Sequence, residues 1–173
     1  MTHIRCTFPA PARSPRRGFT LIEAAIVTVI VGIGTVGLLE LLASGTMSNA
    51  ESSELTTALN LANDVREMSR SLAFADPTTP TTWGAESGES SAATYDDLDD
   101  LDGVSFNPPI DARRQSLSNY TRWTQSVTVQ TVQPNQLTTV ASDGSQPVNR
   151  VTVAVSKSGS EVCRIAYLVV SAP

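Results

Sequence analysis

The chain has 173 residues, of which 40% are hydrophobic, and its formal charge is −5. This length allows one globular domain with an additional tail. Acidic residues outnumber basic ones by 17 to 12, which argues against a protein that binds nucleic acid through clustered lysines and arginines. We therefore predict no nucleic-acid partner.

The first 18 residues carry four arginines and three prolines, but they contain no acidic residue and no apolar run. An ordinary secretory signal has its apolar run before the cleavage site. Here the run follows Gly18 and covers residues 19–42. As a helix it would be about 36 Å long, enough to span a hydrocarbon core of about 30 Å.

Basic residues directly precede this apolar run, and they are Arg13, Arg16 and Arg17. Positive charge beside a membrane span holds that end in the cytoplasm. We therefore expect a single membrane span with a cytoplasmic N-terminus and an exported remainder.

One carboxylate, Glu23, lies inside the apolar run. A charged side chain costs about 2.5–3.5 kcal/mol at the centre of a membrane helix and less near its end. The residues alone leave two roles open for Glu23. It is either an interfacial carboxylate that reaches the headgroups or a group that pairs with a charged partner.

Residues 16–23, RRGFTLIE, resemble the N-terminus of type IV prepilins and of the pseudopilins of type II secretion, and the match from Gly18 to Glu23 has no gap. The resemblance implies that a prepilin peptidase cleaves after Gly18 and methylates the new terminus at Phe19. It further implies that Glu23 pairs with this methylated amine on a neighbouring subunit and so fixes the register of assembly. The implied partners are other pilin subunits, the peptidase, the bacterial inner membrane and an assembly machinery.

Cleavage after Gly18 would leave eight basic and seventeen acidic residues, no histidine, and Cys163 as the remaining cysteine. Such a chain has no histidine for acid–base or metal chemistry and no internal disulfide. Because Cys163 alternates with Val162 and Arg164 in a strand-like run, we predict that it is a small buried apolar residue.

Apolar residues continue at three- and four-residue steps through residues 51–72. This spacing predicts an amphipathic helix that packs on a globular head. The residues of the apolar face are Leu55, Leu59, Ala62, Val65, Met68 and Leu72. The opposite face is predicted to carry Glu54, Asn60, Asp64 and Glu67. With the preceding run this makes one helix over residues 19–72, weakened at residues 44–46.

A polar and acidic loop is expected over residues 76–118. Within it, residues 96–102 contain five aspartates, a composition that suggests calcium. The candidate ligands are Asp97, Asp99, Asp100 and Asp102. An EF-hand alignment on Gly103 fails, because it places Leu98 at the first ligand position and Pro109 at the last. We therefore predict a solvent-exposed acidic turn in preference to a metal site.

The rest of the chain alternates as antiparallel strands at residues 120–132, 136–141, 150–156 and 161–170, with a hairpin loop at 157–160. A sheet laid on the long helix would bury the apolar side of both. The expected fold class is α+β. The expected organisation is a leader at 1–18, a membrane and assembly helix at 19–44, and an exported head at 45–173 whose sheet covers 119–171.

The head also resembles minor pilins of the mannose-sensitive haemagglutinin pilus. The resemblance rests on residues 74–77, 84–89, 95–103, 108–109 and Trp123. It implies a structural subunit, a minor pilin of a type IV pilus, without catalysis of its own. The alternatives are a pseudopilin of type II secretion and a calcium-dependent adhesive module at a pilus tip. A membrane-anchored hydrolase is disfavoured because the acidic run is expected to be solvated throughout.

Overall fold

The computed structural model describes residues 18–171. The leader residues on which several expectations rest, including Cys6, His3 and the three arginines before Gly18, lie outside this range. The chain divides into two compact units, with the division between Met47 and Ser48. Each unit is described by itself.

The N-terminal unit contains the first part of helix α1, Leu21–Ser69. Within residues 18–171, α1 is the helix that is long and apolar enough to cross a membrane, and its apolar window is not buried by the rest of the chain. The glycines of this segment and residues 44–46 do not interrupt the helix. The prediction of one long helix is confirmed, with ends two and three residues inside the predicted ones.

The second unit contains five strands, β1 (Ser105–Phe106), β2 (Trp123–Gln133), β3 (Gln136–Val140), β4 (Val148–Lys157) and β5 (Ser160–Val170). All pairings are antiparallel, in the order β1-β2-β4-β5, and β3 pairs with the end of β2. Short 3-10 helices lie at Asp99–Leu101 and Ser118–Tyr120. The predicted α+β class with one antiparallel sheet is confirmed, and β1 is a strand that the sequence pattern did not indicate.

The β4–β5 hairpin turns through Ser158 and Gly159, which have φ angles of 51° and 84°. A two-residue hairpin loop with positive φ at both positions matches the right-handed twist of its strands. Lys157 and Ser160 close this loop as paired residues, so the predicted hairpin is confirmed.

The core of the second unit lies between one face of α1 and one face of the sheet. The helix contributes Ala58, Leu61, Ala62, Val65 and Met68, and the strands contribute Trp123, Val127, Val129, Val151, Val153 and Val155. Residues of the segment between α1 and β2 complete it, namely Tyr95, Leu98, Leu101 and Ile110. This segment is therefore packed into the head.

Two residues of the predicted apolar face were placed wrongly, because Leu55 and Leu59 are 45% and 38% exposed. At about 100° per residue, Leu59 lies about 120° around the helix from the buried Val65. Ala58 and Leu61 occupy the buried face instead. Glu54 was also placed wrongly, since it pairs with Lys157 of β4.

Cys163 is half-buried in β5 and packs against the core. Burial is the main cause that raises the pKa of its thiol. A thiol held in its protonated form is a poor nucleophile, which agrees with the predicted apolar role.

Candidate functional site

The residues of the predicted processing site precede helix α1. Gly18 and Phe19 are exposed and non-helical. A Cβ added at Gly18 would meet no atom within 4 Å, so packing among the described residues does not require glycine there. The same is true of the glycines within α1, such as Gly45.

Glu23 lies in the first turn of α1. Its main-chain N–H donates to Thr20 Oγ1 at 3.3 Å, so Thr20 caps the helix and Glu23 occupies the third helical position. A carboxylate there favours the positive end of the helix. Within residues 18–171 no ion pair engages the Glu23 carboxylate.

The helix surface around Glu23 is apolar and uncovered. Leu21, Ile22, Ile26 and Val29 are between 54% and 89% exposed. Soluble surfaces rarely expose apolar patches of this extent unless a membrane or another protein covers them.

The acidic run at residues 96–102 differs from its predicted state. Asp97, Asp99 and Asp100 are only 1%, 4% and 2% exposed, so the prediction of a solvent-exposed acidic turn is wrong for them. The physical reason is that Leu98 and Leu101 enter the core, which brings the aspartates beside and between them inside. The premise that every carboxylate of the run is solvated, which disfavoured a hydrolase, is wrong as well.

Two aspartates of the run hold the main chain in a reciprocal arrangement. Asp97 Oδ1 accepts from the N–H groups of Asp99 and Asp100 at 3.1 and 3.2 Å. Asp100 Oδ2 accepts from the N–H groups of Asp96 and Asp97 at 3.0 and 3.3 Å. The second oxygen of each, Asp97 Oδ2 and Asp100 Oδ1, is buried without a hydrogen-bond partner.

Burial shapes the acidity of these groups. It is the main cause that raises the pKa of Asp97 to about 7, with the neighbouring Asp99 carboxyl as the next cause. Burial also raises the pKa of Asp100 to about 6 and raises the pKa of Asp99. Both unpartnered oxygens are closed to solvent, whereas general acid–base catalysis requires a group within hydrogen-bond reach of its substrate.

More carboxylates gather around this run than the sequence indicated. We name the acidic cluster as Asp76, Glu86, Glu89, Asp96, Asp97, Asp99 and Asp100, whose carboxylate oxygens form overlapping groups of three within 4.8 Å. Of the four predicted candidates, the structure brings Asp97, Asp99 and Asp100 together and leaves Asp102 outside. Asp102 instead accepts from the Val129 N–H at 2.8 Å.

Asp76 joins the cluster because the chain folds back after α1. The Ala73 N–H donates to the Asp96 main-chain oxygen at 3.0 Å, and Ala73 and Asp97 form a parallel bridge. Asp76 itself accepts from the N–H groups of Thr78 and Thr79. No local spacing links Asp76 to a run twenty residues later, so sequence reasoning had no signal for it.

A second buried polar residue was missed. Gln125 is fully buried in β2, between Trp123 and Val127. The signal was available, because a residue midway between two inward-facing positions of a strand also faces inward. Three hydrogen bonds satisfy its amide in this buried position.

Comparison with known families supports the N-terminal assignment. Residues 13–43 match the family described as the prokaryotic N-terminal methylation motif. No curated protein and no solved structure shows significant similarity to the chain. The chain therefore carries, at residues 13–43, an N-terminal methylation motif of the kind found in type IV prepilins and pseudopilins. The finer resemblance of its head to minor pilins of the mannose-sensitive haemagglutinin pilus stays a prediction.

Proposed function

We propose that this chain is the precursor of a filament subunit, a minor pilin of a type IV pilus or a closely related filament. In this role it is inserted in the inner membrane with its head in the periplasm, and it is cleaved between Gly18 and Phe19. Its partners are then other pilin subunits and the assembly machinery, and its role is structural.

The observation that carries the proposal is the character of the first turns of α1. They expose apolar side chains around a carboxylate, Glu23, that has no ion-pair partner within the described residues. Lipid tails can cover the apolar surface, but they offer no partner for the charge. A neighbouring subunit that brings an N-terminal amine satisfies both requirements, because each charge then offsets the cost of burying the other.

The glycine before the helix is compatible with the same proposal. Since a Cβ at Gly18 would have open space around it, the fold of the described residues does not select glycine. Recognition by a processing enzyme supplies a reason for a residue without a side chain at that position.

The test is the N-terminus of the protein recovered from membranes of cells that contain an active prepilin peptidase. Mass spectrometry should find Phe19 as the terminal residue, carrying a methyl group on its amine. Gly18→Ala should largely block the cleavage. Gly45→Ala is the matched control, since a Cβ there also meets nothing within 4 Å, and it should be processed normally. Recovery of the wild-type chain with Met1 intact would contradict the proposal.

A pseudopilin of a type II secretion system is the nearest alternative, because it shares the same N-terminal segment. Deletion of the gene separates the two. Loss of surface filaments with normal protein export supports the pilus, whereas loss of export with normal filaments supports the secretion system.

A further inference from the structure

We propose that the acidic cluster of the head binds one divalent cation of the calcium class, with the carboxylates of Asp97, Asp99 and Asp100 as its central ligands. The exported location that would supply the ion rests on the proposed function. The binding site itself rests on the head alone.

Two buried carboxylate oxygens of the central ligands lack a hydrogen-bond partner. Asp97 and Asp100 are 1% and 2% exposed, yet one carboxylate oxygen of each has no hydrogen-bond partner. A buried polar atom without a partner costs about 1–3 kcal/mol, and more when it is charged. Native proteins rarely leave such atoms unmatched unless a water or an ion occupies the site.

Among residues 18–171, no basic side chain forms an ion pair with a carboxylate of the acidic cluster. The ion pairs among residues 18–171 engage Glu54, Glu67 and Glu161, all outside the cluster. Arg114 approaches the loop, but it donates to the main-chain oxygens of Ala92 and Tyr95 at 3.2 and 2.7 Å. Isolated buried charges are strongly unfavourable unless they are paired or bind a metal.

The spacing of the central carboxylates suits a single ion. One carboxylate oxygen from each of Asp97, Asp99 and Asp100 lies within 4.8 Å of the others. Calcium binds oxygen at about 2.3–2.6 Å, so two oxygens on one ion can be separated by up to about twice that distance. The three central ligands meet this condition without movement of the main chain. Glu89 and Asp96 form a similar group with Asp100, which adds carboxylates at the edge of the site.

The chemistry of the ligands decides which ion the site would bind. All of its donors are carboxylate oxygens, which suit hard cations such as calcium and magnesium and not zinc or copper. A flexible set of several carboxylates favours calcium, because magnesium demands near-octahedral geometry at shorter distances. Asp99 also lines a surface cavity of about 240 Å³ with Trp83 and Asp143, so one of the three central ligands borders a cavity that is open to the surface.

The bound ion would stabilise the packing of the acidic loop, residues 96–102, against the rest of the head. The central ligands lie in and beside the 3-10 helix Asp99–Leu101, whose Leu101 is fully buried in the core. Ala73, just after α1, is bridged to Asp97. Neutralising the cluster should therefore hold the helix end and the acidic loop together, and its removal should loosen both.

The experiment uses the full chain extracted from membranes in detergent and treated with EDTA. Titration with CaCl₂ should show about one ion per chain and raise the midpoint of thermal unfolding by several degrees. MgCl₂ should act at least tenfold more weakly. Asp97→Asn should weaken calcium binding at least tenfold. Asp102→Asn is the matched control from the same run, outside the cluster, and should change the affinity less than twofold.

A second readout covers the case in which Asp97→Asn folds poorly. Terbium has ligand preferences similar to those of calcium, and its luminescence should be sensitised by Trp83, which lines the same cavity as Asp99. Calcium should displace it, and Trp83→Phe should reduce the signal while calcium still raises the unfolding midpoint. If EDTA-treated wild-type protein neither binds calcium nor changes its unfolding midpoint, the proposal is overturned and the aspartates are neutral acids that share protons. Because binding is measured on extracted protein, it is independent of cleavage at Gly18.

Discussion

The Gln125 side chain of strand β2 donates from Nε2 to the main-chain oxygen of Leu61 in helix α1, and the two atoms are 2.8 Å apart. The same amide donates to the Ile110 oxygen at 3.0 Å and accepts from the Ile110 N–H at 2.9 Å. One fully buried side chain therefore joins the helix, the sheet and the loop before β2. A buried network of this kind rigidifies the head only while all its members are satisfied.

We predict that Gln125→Leu destabilises the head although it adds apolar surface. The change leaves the buried Ile110 N–H without its acceptor, which costs about 1–3 kcal/mol. Chemical denaturation in detergent should show a lower midpoint with an unchanged slope. Gln133→Leu, at the exposed end of the same strand, is the control and should have little effect. Equal midpoints for Gln125→Leu and wild type would mean that the amide does not carry this connection.

The second prediction concerns the orientation of α1. Leu61→Asp should unfold the head, because Leu61 is 3% exposed and a buried unpaired carboxylate costs several kcal/mol. Leu59→Asp should change stability by less than about 1 kcal/mol, since Leu59 is 38% exposed. The three- and four-residue spacing of apolar residues had placed Leu59 on the buried face. Thermal unfolding of the two variants side by side decides between the two orientations.

The sequence indicated the elements well because their signals are local. Alternation in β2, β4 and β5 located each strand to within three residues at its N-terminal end. The buried face of α1 was predicted less accurately than the strands, because several rotations of an amphipathic helix bury similar numbers of apolar residues. Whether Leu59 or Leu61 is buried depends on where the sheet packs against the helix. The spacing of apolar residues along the helix does not specify this position.

The candidate sites differ in the same way. Gly18, Phe19 and Glu23 are contiguous, so their motif is readable from the chain itself. The acidic cluster is assembled by a fold-back that brings Asp76 to Asp97, and this contact is long-range. A local clue existed nonetheless, since Leu98 and Leu101 interrupt the aspartates at a spacing that buries both leucines. The prediction of exposure was wrong because it relied on the charge of the aspartates and not on the burial of these two leucines.

The third prediction separates two roles of Glu23, capping of the helix and pairing with an amine. Glu23→Gln keeps a residue that suits the third helical position but removes the charge. We expect normal membrane insertion and a strong loss of filament incorporation, because the neighbouring amine loses its partner. Glu40→Gln, in the same exposed part of α1, is the control and should be incorporated normally. Immunoblots of sheared filaments and of membranes give the fraction of subunits incorporated into filaments. Incorporation of Glu23→Gln at the wild-type level would rule out charge pairing.

The last prediction concerns alkaline pH. Tyr167 Oη lies 2.8 Å from Ser69 Oγ at the end of α1, and Arg66 lies 5.7 Å from the ring centroid. Burial is the main cause that raises the pKa of Tyr167, although Ser69 and the nearby arginines act in the opposite direction. An unfolded tyrosine has a pKa of about 10. The folded state therefore holds this proton more tightly than the unfolded state does.

It follows that the contribution of Tyr167 to stability is fully present below about pH 10 and is lost as the pH rises through the higher pKa of the folded state. Tyr167→Phe should lose about 0.5–1.5 kcal/mol at neutral pH through the missing hydrogen bond, and its stability should then fall less steeply between pH 10 and 11 than that of wild type. Tyr120→Phe, at an exposed position, should keep the wild-type slope. Denaturation midpoints across this range measure the difference. Parallel curves for wild type and Tyr167→Phe would show that ionisation of Tyr167 does not oppose folding.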